Sequence, residues 1–314
     1  RRAGSSRTRS TTRSSPIAAD AAMETLEALD RRITNTGELR DIVRTMKSLS
    51  AVSIRQYEEA VRSLRAYRRT IDRGLQVVLR AQRPEAAAPA AEGATLAIVF
   101  GSDHGLCGRF NQQIARFARE RLAAPETERP HRFVVAGLRA AVRLEAAAKE
   151  VTRTIPLAGT AEGLDETART LLLEVDAVRG GAGVARVVVF YNRRSPGETA
   201  RPQAVQLLPL EPRWLAHLRD RPWDSRRLPI CAMEARALLR ALVRQHLFIS
   251  LLRAAAESAA SEHATRLAAM QAAERNIDEH LEAMRGTFRQ RRQALVTEEL
   301  LDVVAGFEAL GGAG

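Results

Sequence analysis

Aromatic residues make up only 4% of this 314-residue chain, Cys107 and Cys231 are its only cysteines, and Lys47 and Lys149 are its only lysines. Each shortage excludes something. With so few aromatic rings, a thick globular core is disfavoured, and alanine and arginine fill their place, as suits long helices packed closely side by side. Two distant cysteines cannot form a disulfide framework or a zinc site built from adjacent ligand pairs, and they point to a reduced compartment. No apolar run approaches the roughly 20 residues that span a bilayer, so any membrane association has to come through a partner. Proline is absent from Glu24 to Leu79 and again after Pro229.

What is abundant is charge, with a net +12 and a hydrophobic content of 45%. A basic chain raises nucleic acid or an anionic surface as partner. The arginines, however, alternate with acids, as in RSLRAYRRTIDRG and MQAAERNIDEHLEAMRG, which reads as solvated helix faces and not as a stripe that follows phosphates. Residues 1–22 are rich in Arg, Ser and Thr and nearly free of acid. That is the composition of an organellar transit peptide, but an extension upstream of the first periodic pattern, which begins at Met23, is the stronger reading; either way disorder is expected there.

Apolar residues at Leu26, Leu29, Ile33, then Leu39, Ile42, Met46, Leu49, then Tyr57, Val61, Leu64, Ile71, Leu75 and Val78 recur at spacings of three and four. The pattern predicts one helix over 23–82, roughly 85 Å long, which needs a second long helix to lean on. The second stripe runs from Leu238 through Leu252, Leu267, Ile277 and Leu281 toward Leu310, with alanines from Ala254 to Ala273 that allow two backbones to approach. An antiparallel coiled coil of the N- and C-terminal helices is the simplest arrangement. Segment 83–94, with Pro84 and Pro89, reads as a linker, and 311–314 as a flexible tail.

Between the helical ends, from 95 to 212, short β-branched runs at 95–100, 132–137, 151–157 and 185–192 alternate with helical patterns at 111–123, 138–149 and 162–179. Alternation of this kind predicts a mostly parallel sheet covered by helices, with 203–210 as an edge strand. The fold class is therefore α/β with long helices, a coiled coil plus a Rossmann-like central domain. Its C-terminal part, 213–310, is assigned to the second coil helix and its tip.

GSDHGLCGRFN, residues 101–111, follows the first strand and opens a helix. Such a turn can offer backbone N–H groups to phosphate, but it lacks both the G-x-G-x-x-G spacing and a P-loop Lys-Ser/Thr pair, so a tight strand-to-helix turn is the better reading. Asp103, His104 and Cys107 are too close in sequence for a nucleophile, base and orienter, which normally converge from distant positions. Cys107 fits a buried thiol beneath the turn, and His263 a packed side chain. No metal set and no carboxylate pair for acid/base work stands out. The most distinctive stretch is RQRRQALVTEELLDVVAGFEAL, residues 289–310, where a polar collar precedes an apolar run at the end of a helix.

Three blocks together carry a resemblance: RRITNTGELRDIVRTMKSLSAVSIRQYEEAV (31–61), SDHGLCGRFN (102–111), and ASEHATRLAAMQAAERNI (260–277) with FRQRRQALVTEELLDVVAGFEAL (288–310). The chain resembles the gamma subunit of F-type ATP synthases from about Met23 to Leu310. The resemblance implies a non-catalytic central rotor shaft without cofactor, coupling ion flow through the membrane ring to ATP turnover in the catalytic hexamer. The partners it implies are the alpha and beta subunits, the epsilon subunit and the membrane c-ring, with no nucleic acid and no small-molecule substrate. It places the chain peripherally on the cytoplasmic face of the bacterial inner membrane, ahead of the mitochondrial matrix face.

Residue by residue, the resemblance makes Met46, Arg266, Arg292, Gln293, Thr297 and Glu299 contacts to the catalytic ring. Leu300, Val303, Val304, Phe307 and Leu310 become a bearing tip, and Asp103, Gly105, Cys107, Gly108 and Asn111 the loop signature. His104 stands where the family usually has Arg, and the usually Lys-rich first helix carries Lys47 alone. These departures mark a divergent branch, for which the accessory bacterial ATPase type proposed to pump sodium is one candidate. They leave open the coupling ion and the regulatory contacts. The competing readings from the residues alone are a basic coiled-coil protein binding nucleic acid and a Rossmann-like nucleotide-binding enzyme.

Overall fold

The computed structural model describes residues 25–81, 93–123, 130–148, 151–181, 183–223, 227, 229 and 232–311. The extension 1–22, most of the linker 83–94, Cys231 and the tail 312–314 fall outside them. Eleven elements follow in chain order among the described residues: α1 (Leu26–Ala81), β1 (Ala94–Phe100), α2 (Phe110–Leu122), β2 (His131–Ala136), α3 (Leu138–Ala148), β3 (Val151–Ile155), α4 (Leu164–Gly181), β4 (Val184–Ser195), β5 (Glu198–Leu208), α5 (Pro212–Asp220) and α6 (Ala235–Gly311). The chain divides into two compact units, one of residues 1–44 with 272–314 and the other of residues 45–271.

In the larger unit, five strands form one sheet in the order β3-β2-β1-β4-β5. The first three pairings are parallel, and β4 with β5 is antiparallel. Alternation along the strands separates two cores. Leu96, Ile98 and Phe100 join Val134, Val187 and Val189 on one face, where Leu164, Ala168 and Leu171 of α4 and Tyr57, Leu251 and Ala255 of the two long helices cover them. Ala97, Val99, Phe133, Val135, Val188 and Phe190 point to the other face, under Ile114 and Ala118 of α2 and Leu144 of α3. Each fully buried Leu, Ile or Phe contributes about 1.5–3 kcal/mol, which is why the β-branched runs are continuous instead of alternating with polar residues. Within this unit α1 and α6 run antiparallel: Tyr57 stacks on His263 with centroids 5.5 Å apart, and the Tyr67 hydroxyl donates to Gln245 Oε1 at 3.0 Å.

The smaller unit is a helix pair. Arg40 meets Asp278 at 3.8 Å and Arg44 meets Glu274 at 2.9 Å, so four residues forward on one helix correspond to four back on the other, as an antiparallel pair requires. Leu29, Val43 and Leu281 supply its buried apolar contacts.

Two boundaries differ from the sequence reading. Segment 213–310 is not one helix, because Pro212–Asp220 forms the separate α5 and α6 starts only at Ala235. Pro222 enforces the break: Arg221 before it is extended at ψ 136°, where a helix cannot continue. Glu234 then caps α6, its carboxylate accepting from the backbone N–H groups of Arg236 and Ala237, both at 3.0 Å. Those two bonds hold its pKa below the usual carboxylate value. The edge strand begins at Glu198 rather than 203, because β4 and β5 pair as a hairpin down to Ser195 and Glu198 around Gly197. Pro202 is tolerated there because β5 is an edge.

Candidate functional site

The signature turn sits at the carboxyl end of β1, and its polar groups are consumed internally. Asp103 Oδ1 accepts from the Leu138 N–H at 2.8 Å, at the start of α3, and Oδ2 accepts from the Leu157 N–H at 2.7 Å, just past β3. One carboxylate thus ties the ends of three neighbouring strands together. Asn111 does the same inside the turn: its Oδ1 accepts from the Ser102 N–H at 3.0 Å and its Nδ2 donates to Ser102 Oγ at 2.7 Å. Gly108 has φ +56°, a backbone position that favours glycine, and a Cβ on Gly101 would lie 2.1 Å from the Ala140 methyl. Gly105 contributes its carbonyl, which accepts from Arg266.

Cys107 is 2% exposed and lies within 3.6 Å of Ser102 Oγ and 3.5 Å of Asn111 Nδ2. Burial pushes its thiol pKa up, against the nucleophile reading, and its contact with His104 is to the backbone carbonyl and not to the imidazole. With Ser102 N–H and Gly101 N–H already bonded to Asn111 and Ala136, the turn is a knot of internal bonds and not an open phosphate cradle.

Arg266, which the resemblance makes a ring contact, is directed inward in this chain. It is only 6% exposed, and its guanidinium bonds Glu262 Oε1 at 2.5 Å and the Gly105 carbonyl at 3.4 Å, so α6 is fastened to the chain's own signature turn. Its inward orientation follows from Glu262, four residues earlier and equally buried, whose carboxylate it has to neutralise. Burial raises the Glu262 pKa, and Arg266 opposes that shift. His263 lies beside the pair, its pKa lowered to about 4 by burial and then by Arg266, so it is neutral at pH 7. Glu262 and Ser258 were not singled out from the sequence, and Tyr57 only as one residue of the apolar stripe; for the pair, the signal there was the four-residue spacing of Glu262 and Arg266, common on exposed helix faces.

The remaining assigned contacts lie in two places. Met46, in the larger unit, is half-buried, and its carbonyl accepts from Ser50 Oγ at 2.8 Å. Arg292, Gln293, Thr297 and Glu299, in the smaller unit, are exposed, and Thr297 Oγ1 donates to the Gln293 carbonyl at 2.8 Å. Beyond them Leu300, Leu301, Val303 and Val304 are 53–63% exposed, an uncovered apolar stretch on the last turns of α6. The side chains of Phe307 and Leu310 are outside the described residues. No group of three metal-ligating side chains occurs among the described residues, and none of their helices is long and apolar enough to cross a membrane.

A family model described as ATP synthase matches residues 25–310. The chain belongs to this family. Within it, the ATP synthase gamma chain of Anaeromyxobacter dehalogenans (strain 2CP-C) is 31% identical over 299 residues, covering 92% of this chain and all of that relative. The ATP synthase gamma chain of Geotalea uraniireducens (strain Rf4) is 28% identical over 298 residues with the same coverage. The fold is shared with the rotor of the Euglena gracilis mitochondrial ATP synthase, at a TM-score of 0.61 and 16% identity over 87% of this chain and 99% of that one. A central-stalk chain of the Tetrahymena thermophila enzyme matches at 0.54 and 21% identity, over 74% and 99%. Long terminal helices with a central, mostly parallel sheet are thus a fold that this chain shares with those structures.

Proposed function

We propose that the chain is the central stalk of a rotary ATP synthase or ATPase, a shaft that turns inside a catalytic hexamer of alpha and beta subunits. The observation that carries this reading is the end of α6, where a polar collar at Arg292, Gln293, Thr297 and Glu299 precedes apolar residues left more than half exposed. An uncovered apolar stretch of this kind costs free energy in water and is offset by a partner that buries it. Charged and amide groups can exchange charge-assisted hydrogen bonds with successive partners as a shaft turns, and an apolar tip can slide because it has few directional contacts to break. An asymmetric shaft meets the three catalytic subunits differently, so its angle biases their nucleotide affinities in turn.

On this reading the chain supplies no catalytic group of its own. Met46, Arg292, Gln293, Thr297 and Glu299 face the ring, whereas Arg266 serves inside the shaft, fastening α6 to the signature turn. The α/β domain meets the epsilon subunit and the membrane c-ring, and these partners hold the chain peripherally at the cytoplasmic face of a bacterial inner membrane. The internal satisfaction of the signature turn argues against the nucleotide-enzyme alternative, and the interspersed acids against the nucleic-acid one.

Co-expression with the cognate alpha and beta subunits tests the proposal. The expected product is a complex with one copy of this chain per hexamer, in which ATP turnover depends on the chain. A hexamer that neither retains the chain nor changes its turnover with it would overturn the reading.

A further inference from the structure

Along most of the helices arginines are interleaved with acids, but at one place on α1 they are not. Arg65 has Val61, Arg62, Arg68 and Arg69 at the positions three and four residues away, so no carboxylate neighbours it on the helix. Arg62 has Glu58 four residues before it, but Glu58 is turned to Arg194 at the end of β4. Neither the Arg62 nor the Arg65 side chain makes a hydrogen bond or ion pair among the described residues, and both residues are exposed.

The two open into a cleft of about 280 Å³ between α1, the end of β4 and α6. Arg193 and Arg194 hold its opposite side, with side chains 51% and 42% exposed, so their guanidinium groups also reach solvent. Glu58 and Glu257 are the acids of the wall. Glu257 lies 3.7 Å from Arg193 Nε and is buried, and its other oxygen accepts from Arg253 Nε at 2.8 Å, so its charge is already balanced within the fold. Only Val61 and Ala260 add apolar surface.

This wall selects a chemistry. Four guanidinium groups against two carboxylates leave a surplus of two positive charges in one concave place. Like charges held together repel, and a counter-anion relieves them. A cation is turned away, and a ring or aliphatic chain finds little but Val61 and Ala260 to cover it. Guanidinium forks match phosphate oxygens through paired N–H bonds. A dianion balances the surplus in full, whereas chloride or a carboxylate leaves half of it.

We propose that this cleft is a binding site for a phosphate dianion, held by the unpaired guanidinium groups of Arg62 and Arg65 on α1 and by Arg193 and Arg194 across from them. The anion ties α1 to the end of β4. Because the cleft is open, the dianion can be the free ion or the end group of a phosphate monoester, and its binding weakens as ionic strength rises. Every wall residue belongs to the larger unit, so the site does not rest on the rotor reading.

Inorganic phosphate titrated into the full, isotope-labelled chain at constant ionic strength, with the arginine Nε–H signals followed by NMR, tests it. The expected result is saturable shifts at Arg62, Arg65, Arg193 and Arg194, with chloride and acetate bound at least roughly tenfold more weakly. Arg62→Gln and Arg65→Gln fall at exposed, unpaired positions where the fold tolerates the change. Each should weaken phosphate roughly fivefold, and the two together should abolish saturation. Arg143→Gln removes an equal charge from an exposed position on α3, on the other face of the sheet, and should leave binding unchanged. Glycerol phosphate separates the two sources: affinity equal to that of phosphate supports a monoester end group, and weaker affinity supports the free ion. Shifts that do not saturate, that chloride reproduces at equal ionic strength, that survive the double substitution, or that Arg143→Gln reduces as much as Arg62→Gln would overturn the proposal and leave these arginines to solvent.

Discussion

The signature turn and the end of α6 handle polar and apolar groups in opposite ways. At the turn, Asp103, Asn111 and Arg266 are drawn inward and spend their hydrogen bonds on the chain itself. At the end of α6, polar groups stand in solvent and Leu300, Leu301, Val303 and Val304 remain uncovered. The first arrangement stabilises this chain alone; the second makes sense only with a partner present. Spacing in the sequence separates the two: the Gly- and Cys-containing turn lacks a phosphate fingerprint and spends its polar groups internally, whereas the helix end, where a polar collar precedes an apolar run, is left exposed.

Substitutions sharpen that contrast. Arg266→Ala leaves the Glu262 carboxylate buried and unpaired, and should cost about 3–5 kcal/mol in urea unfolding. Adding Glu262→Gln should recover a large part of it; an unchanged deficit would mean that the pair is not what Arg266 serves. Acid should act through His263, whose folded pKa of about 4 lies below its unfolded value. Between these values the unfolded chain binds the proton that the fold refuses, so this residue's contribution falls as pH drops from about 6.5 to 4, by up to roughly 3 kcal/mol. Tyr57 and Arg266 face the His263 imidazole, and the raised Glu262 pKa acts in the opposite sense, so the quantity to follow is the difference between wild type and His263→Gln. The variant should lose the corresponding slope, and parallel curves would contradict the assignment.

Asp103→Ala, which strips two backbone N–H groups of their acceptor, should cost about 2 kcal/mol, with Asp103→Asn milder because one acceptor remains. At the end of α6 the stability effects should nearly vanish. Gln293→Ala, Thr297→Ala and Leu300→Ser should each change stability by less than about 0.5 kcal/mol while lowering ATP turnover in the assembled complex. A large loss of stability from any of these three would mean that the end of α6 is not free in the isolated chain.

Most of the architecture could be read from periodicity, because spacings of three and four in the long helices and β-branched runs in the strands are fixed by what each element buries. The separate α5 escaped that reading, because the apolar stripe that defines the coil helix begins only at Leu238 and the nine residues Pro212–Asp220 are too few to show a clear period of their own. The buried cluster around Arg266 escaped it for a deeper reason. Glu262 and Arg266 at four-residue spacing look like an ordinary exposed ion pair, and Ser258 like one more small residue among alanines. Their burial depends on the sheet that packs over them, a fact their own segment does not contain.

The most direct test of the shaft is to watch it turn. A bead can be attached through Leu173→Cys, an exposed position on α4, in a chain carrying Cys231→Ser and assembled with its cognate hexamer fixed to a surface. The account predicts that ATP drives the bead round in one direction, pausing three times per turn. Steady ATP hydrolysis with a stationary or randomly jittering bead would contradict it.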